Sequence, residues 1–92
     1  MKKITVTLRD IRTADVMSHT DCPVARALKR AGFTKVYVTG SSFEYKTGWK
    51  LFHQKFRKNE ELQRNYGDIF TGASKGFSFK VPTTRKEQNG QV

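Results

Sequence analysis

Segments near both ends of the chain alternate between apolar and polar residues, a period of two that is typical of a strand with one buried side. The apolar positions are Ile4, Val6 and Leu8 in the first segment and Phe77, Phe79 and Val81 in the last. We therefore predict half-buried strands over 3–8 and 77–81. Elements from the intervening sequence must cover their apolar sides.

The segment 22–32, CPVARALKRAG, predicts a helix between these strands. Pro23 suits the first helical position, Asp21 or Cys22 can cap the N-terminus, and Gly32 suits the position just after the C-terminus. The apolar side chains of this helix fall on one side, and they are Val24, Ala25, Leu28 and Ala31. That side can pack against the strands.

A hairpin is expected next, with strands over 35–39 and 43–46 joined by the turn Gly40-Ser41-Ser42. Thr47 can then cap a longer helix from about Gly48 to Tyr66, which Gly67 would end. The rings at helical spacing on its apolar side are Trp49, Phe52 and Phe56. A glycine-rich loop through 72–76 leads to the last strand.

These elements follow one another in the order β-α-β-β-α-β, which predicts an α+β fold of the ferredoxin-like, split βαβ type. Both helices would cover one face of a four-stranded antiparallel sheet. We expect a single small domain over 1–81 and a disordered polar tail over 82–92. The polar stretch 9–21 is long for a connection, so a further element could lie within it.

The charge of the chain points to an acidic partner. The 92 residues include 18 Lys and Arg but 8 Asp and Glu, a net charge of +10. Solubility alone requires a smaller net charge, so nucleic acid or an acidic protein surface is the favoured partner. No apolar run approaches the roughly 18 residues of a membrane span, and no signal peptide is recognisable. A single cysteine fits a reducing cytoplasm.

In the predicted fold the positive charge divides between two surfaces. The open sheet face would carry Lys3, Lys35, Lys46 and Lys80 around the exposed ring of Tyr37. The outer side of the helices would carry Arg26, Lys29, Arg30, Lys50, Arg57 and Lys58. A basic sheet face with an exposed ring can bind single-stranded nucleic acid, because lysines contact phosphates and the ring stacks on a base.

The evidence for a catalytic or zinc-binding site is limited to Cys22 and His19, and it is weak. The thiol begins a helix and follows His19 at H-x-x-C spacing, which could supply a nucleophile or half of a zinc site. No oxyanion or third-group signature accompanies the pair, and a structural zinc site needs four ligands. We therefore expect no catalytic residue, no metal and no cofactor, and Cys22 as a small buried residue.

Three segments together resemble a group of small bacteriophage proteins. They are the strand over 4–8, the C-P-[IV]-A-x-A-[IL] helix start at Cys22–Leu28, and the closing Gly76-Phe77-Ser78-Phe79 strand. The similarity covers roughly residues 3–81 and implies no catalytic or binding residue. It implies a phage accessory protein that acts in a bacterial cytoplasm, where such proteins bind nucleic acid or disable host proteins, including defence nucleases.

These observations predict a non-enzymatic protein that binds nucleic acid through its Lys and Arg surfaces. The alternative is an inhibitor of a host or anti-phage defence protein, for example a CRISPR-type nuclease complex, which would use the helix-side cations against an acidic surface. The sequence leaves the choice between these partners open.

Overall fold

The computed structural model of the chain describes residues 1–84, which form five strands and three helices. In chain order they are β1 (Lys2–Thr7), α1 (Leu8–Thr13), α2 (Pro23–Arg30), β2 (Thr34–Val38), β3 (Ser42–Thr47), β4 (Lys50–Lys55), a 3-10 turn (Phe56–Lys58), α3 (Glu60–Thr71) and β5 (Gly76–Val81). The predicted α+β class is confirmed. The element order keeps the predicted β-α-β-β-α-β succession, with α1 and β4 added to it.

The strands within residues 1–84 form two antiparallel sheets, one of two strands and one of three. β1 pairs with β5, with Ile4 opposite Phe79. β3 lies between β2 and β4, with Glu44 opposite both Tyr37 and His53. Neither β1 nor β5 pairs with β2, β3 or β4, so the β1–β5 pair forms a sheet of its own within residues 1–84.

The predicted helix from Gly48 to Tyr66 is wrong in its first half. Gly48 has φ 60° and begins a two-residue hairpin turn, after which Lys50–Lys55 is strand β4. Phe52 and Phe56 are buried, as the helical spacing also required, whereas Trp49 is 97% exposed. The two buried rings are four residues apart, and this spacing places them on one side of either a strand or a helix. Their burial therefore could not distinguish a strand from a helix.

Helix α3 begins later than predicted and also ends later. The side chain of Asn59 caps it by accepting a hydrogen bond from the Leu62 N–H at 3.3 Å. Gly72, with φ 79°, ends it in the left-handed conformation that favours glycine. Gly67 lies inside the helix, so the prediction that it ends the helix is wrong.

The long polar stretch does contain a further element, α1. Thr7 and Asp10 form a capping box: the Thr7 hydroxyl accepts from the Asp10 N–H at 3.1 Å, and the Asp10 carboxylate accepts from the Thr7 N–H at 2.9 Å. Helix α2 begins as predicted, with Cys22 at the N-cap and Pro23 at the first position.

The inner sides of both sheets contribute to one apolar core, which α2 covers against β1 and β2. Phe43 and Tyr45 of β3 are fully buried, and Phe79 of β5 meets Phe43 edge-on at 6.2 Å between ring centroids. The Tyr45 hydroxyl donates to the Pro82 carbonyl at 2.6 Å, so this buried proline belongs to the fold rather than to a tail. The rest of the predicted tail, 85–92, lies outside the described residues.

No helix within residues 1–84 is both long enough and apolar enough to cross a membrane.

Candidate functional site

The three-stranded sheet presents one side to solvent, which we call the outer face. Side-chain alternation along β2, β3 and β4 assigns its residues, because the intervening positions are buried. The outer face comprises Thr34, Tyr37, Ser42, Glu44, Lys46, Leu51, His53 and Lys55. Two of the residues singled out from the sequence, Tyr37 and Lys46, therefore share this surface.

An exposed ring stack lies at one edge of the outer face. The rings of His19 and Tyr37 are stacked, with centroids 4.7 Å apart and an angle of 20° between their planes. Tyr37 keeps 44% of its surface exposed, and His19 is also exposed. The stack widens the flat apolar surface on which the face of a nucleobase, or another planar group, can lie.

One backbone hydrogen bond and one side-chain hydrogen bond hold His19 in this position. The Val38 N–H donates to the His19 carbonyl at 2.8 Å, so the loop after α1 pairs with the outer edge of β2. The Nδ1 of His19 lies 2.7 Å from the Val38 carbonyl oxygen. Because a carbonyl oxygen only accepts, Nδ1 carries the hydrogen and Nε2 is left for other partners. The sequence suggested His19 only as a partner of Cys22, in a nucleophile or in half of a zinc site.

Lys35 stands at an irregularity of strand β2, next to this stack. The register with β3 shifts between Thr34 and Tyr37, which marks a β-bulge. Lys35 has φ 49°, in the left-handed region that costs a residue with a side chain about 1–2 kcal/mol. Among the described residues other than glycine, it alone adopts a positive φ. Strained positions of this kind cluster at functional sites.

Strand β4 adds Leu51, His53 and Lys55 to the outer face, and sequence reasoning missed all three. All are exposed, Leu51 by 50%. The alternation of 50–55 was obscured because Gln54 fills an inward position. Its amide oxygen accepts from the Asn59 side chain at 3.2 Å, which satisfies a buried polar group. The available signal for a hairpin was Gly48 followed by Trp49, since a type II′ turn takes glycine at its first central position.

The tip of the β3–β4 hairpin carries Trp49, which is 97% exposed. Gly48 takes the positive φ that the first central position of a type II′ turn requires. A tryptophan projecting from such a turn places a large ring in water, and rings of this kind serve as anchors in binding interfaces. This exposure was not predicted from the sequence, because Trp49 fitted the apolar side of the predicted helix.

The basic residues of α2 are engaged by the chain itself. Arg26 donates to both carboxylate oxygens of Asp21, at 3.0 and 3.2 Å, and to the Thr13 hydroxyl at 2.7 Å. Lys29 donates to the Thr20 carbonyl. Arg30 pairs with Asp10 on α1. These contacts link α1 and the following loop to α2. Asp21 and Asp10 partly neutralise the charges of Arg26 and Arg30, whereas the partner of Lys29 is an uncharged carbonyl.

The remaining predicted cations are dispersed over the described part of the chain. Lys3 and Lys80 are cross-strand neighbours on the β1–β5 sheet and thus belong to a different sheet from Lys46. Lys50 begins β4, while Arg57 and Lys58 lie in the 3-10 turn and not on a helix side with it. Of the residues of the two predicted surfaces, Tyr37 and Lys46 share the outer face, Lys35 lies two residues before Tyr37 in β2, and β4 extends this face.

Cys22 has the environment of a structural residue. Burial raises the pKa of its thiol, and this effect is larger than the lowering by hydrogen bonds from backbone N–H groups. Its Sγ accepts from the Ala25 N–H at 3.4 Å, as the N-cap of α2. Within residues 1–84, no three His, Cys, Asp or Glu side chains are grouped so as to hold a metal ion.

The chain matches no protein-family model, and neither curated proteins nor solved structures show significant similarity to it.

Proposed function

We propose that this protein binds single-stranded nucleic acid on the outer face. The observation that carries the proposal is the exposed stack of His19 on Tyr37 beside the strained Lys35. A base can extend the stack, and neighbouring lysines can contact the phosphates on either side of it. A duplex offers no exposed base faces, so a single strand fits this surface better.

The charges of the outer face support the same ligand. Lys46 and Lys55 lie on it, and Lys35 belongs to β2, the edge strand that carries Tyr37. Glu44 is the one acid of strands β2, β3 and β4, and it lies between Tyr37 and His53 in the register. A carboxylate among cations can accept hydrogen bonds from base amino groups, as Glu and Asp do with cytosine.

Binding of fluorescently labelled oligonucleotides tests the proposal. Single- and double-stranded DNA and RNA are titrated across about 50–200 mM salt, since phosphate contacts make affinity salt-dependent. We expect tighter binding of single strands. Tyr37→Ala should cost about 1–3 kcal/mol of binding free energy, and Lys46→Gln should reduce the salt slope by about 0.7.

A matched control separates this face from net charge. Lys80→Gln removes the same charge from the other sheet. If Lys80→Gln weakens binding as much as Lys46→Gln, and Tyr37→Ala has no effect, the chain binds as a diffuse polycation and the proposal is wrong.

The exposed Trp49 favours a second candidate, in which the hairpin tip anchors the chain on an acidic host protein. Tryptophan is enriched among the residues that dominate protein interfaces, and Lys46 and Lys50 lie in the strands next to the turn. This retains the predicted inhibitor of a host or defence protein, but moves the contact from the helices to the hairpin.

Pull-down from nuclease-treated bacterial lysate distinguishes the candidates. A protein retained by the parent and lost by Trp49→Ala supports the second candidate. Loss of every partner on nuclease treatment supports nucleic acid.

The phage context stays a prediction. The ferredoxin-like fold also stays a prediction, and it rests on the β-α-β-β-α-β order that remains when α1 and β4 are set aside.

A further inference from the structure

An open groove of about 540 Å³ lies where β4 passes into the 3-10 turn. Three parts of the chain form it: the turn between β2 and β3, the end of β4 with the residues after it, and helix α3. The polar side chains that line it are Ser41, Ser42, His53, Lys55, Arg57 and Gln63. It therefore adjoins the outer face and shares His53 and Lys55 with it.

The lining of the groove suits an anion. Lys55 and Arg57 supply two positive charges, and His53 and Gln63 add side-chain nitrogens. Among the described residues that line it, none carries a carboxylate. An arginine fork and a lysine ammonium together are the groups that proteins use for phosphate, the first for two-point contact and the second as a point charge.

Backbone hydrogen bonds fix the walls of the groove. The Phe56 N–H donates to the Ser41 carbonyl at 3.0 Å, which ties the 3-10 turn to the β2–β3 turn. The Thr39 hydroxyl oxygen accepts from the N–H groups of Ser41 and Ser42, at 3.3 and 3.1 Å. These hydrogen bonds lie within the chain, so an anion would bind the groove without ordering the backbone first.

The register of the sheet connects the groove with the ring stack. Tyr37, Glu44 and His53 are aligned across the three strands. Strands lie about 4.8 Å apart, so Tyr37 and His53 are separated by roughly 10 Å. We propose that the groove binds a phosphate group of the strand whose base stacks on Tyr37. This inference rests on the proposed function.

A double variant tests the groove. Lys55→Gln with Arg57→Gln removes both of its cations, and the oligonucleotide titration is repeated with labelled oligo-dT across the same salt range. The one phosphate contact proposed for the groove contributes about 0.7 to the salt slope of a single strand, so the slope should fall by about 0.7. The control, Arg12→Gln with Lys75→Gln, removes the same charges at exposed positions beyond the groove and should leave the slope nearly unchanged.

The outcomes separate the groove from the proposed function. If Tyr37→Ala weakens binding but the groove variant behaves like its control, the groove proposal is overturned and the proposed function stands. If the parent binds no oligonucleotide, the proposed function fails, and the groove is tested by titration with inorganic pyrophosphate. Amide NMR shifts at Ser41, Ser42 and Gln63 that the double variant abolishes would support an anion site on their own, and their absence would overturn it.

Discussion

Arg30 on α2 and Asp10 on α1 form a two-point ion pair, with guanidinium nitrogens 2.9 and 2.6 Å from the carboxylate oxygens. The same guanidinium donates to the Thr5 carbonyl of β1 at 2.8 Å. One side chain thereby fixes two helices and a strand. Arg30, which was predicted from the sequence as a binding residue, is therefore part of the scaffold that positions the loop carrying His19.

Because of this pair, the free energy of unfolding depends on pH in the acid range. Burial alone would raise the pKa of the Asp10 carboxyl, but hydrogen bonds from Arg30 and Thr7 outweigh it and hold the pKa below its usual range. A carboxyl with a lowered folded-state pKa stabilises the fold above its unfolded pKa of about 3.9, and this contribution is lost as pH falls through the folded value.

Asp10→Asn should therefore cost about 1–3 kcal/mol of unfolding free energy at neutral pH, since charged hydrogen bonds are weakened. The difference from the parent should shrink below about pH 4. Urea denaturation at several pH values measures it. A difference that stays constant down to the acid limit would show that the charge of Asp10 contributes nothing.

Gly67→Ala should stabilise the protein. Gly67 lies within α3, has no positive φ, and a Cβ built on it meets no atom within 4 Å. Alanine in an exposed helix interior is favoured over glycine by about 0.5–1 kcal/mol. Thermal unfolding checks the sign, and a lower midpoint would mean that the helix is interrupted at Gly67, as the sequence first suggested.

Gly76→Ala should do the opposite. Gly76 has φ 118°, and its Cβ would lie 3.0 Å from the backbone oxygen of Val6 on the paired strand. The expected cost is about 1–3 kcal/mol, from the backbone conformation together with the contact. Gly40→Ala is the matched control, because its Cβ meets nothing and its φ is not positive. Equal denaturation midpoints for the two variants would contradict the β1–β5 pairing.

Lys35 can be changed in two ways that separate strain from charge. Lys35→Gly should gain about 0.5–1 kcal/mol of stability, because the left-handed backbone penalises a side chain by more than the flexibility of glycine costs. Lys35→Gln keeps the strain and removes the charge, so it should weaken oligonucleotide binding without that gain. If Lys35→Gly binds as tightly as the parent, Lys35 has no role in the outer face.

Trp49 is the one tryptophan of the chain, so its fluorescence reports on the hairpin tip alone. Its emission should be that of a solvated indole and be fully accessible to a soluble quencher, since 97% of the residue is exposed. Trp49→Ala should change stability by less than about 0.5 kcal/mol. Protection of the indole on adding a host protein, but not on adding oligonucleotide, would favour the second candidate function over the first.

Local rules predicted the elements whose signals lie within a few residues. Helix α2 has its proline start and its Cys22 cap, and the end strands have clean alternation, so all three elements were predicted. The first strand ends at Thr7 rather than at Leu8, because Thr7 caps helix α1, which begins at Leu8. The prediction of a helix in place of strand β4 was wrong because a strand and a helix would both bury Phe52 and Phe56. The start of α3 was nevertheless marked, since Asn59 followed by Glu60 and Glu61 is a typical capped helix N-terminus.

The sequence by itself determined that the chain is strongly basic, that it contains α2 and the two terminal strands, and that Tyr37 would be exposed. Which cations share a surface was decided only by the tertiary structure. Ion pairs with Asp10 and Asp21 occupy Arg30 and Arg26, and the pairing of β4 with β3 brings His53 and Lys55 beside Tyr37. Charge is a property of composition, whereas its partners depend on contacts between residues distant in the chain, which no local pattern records.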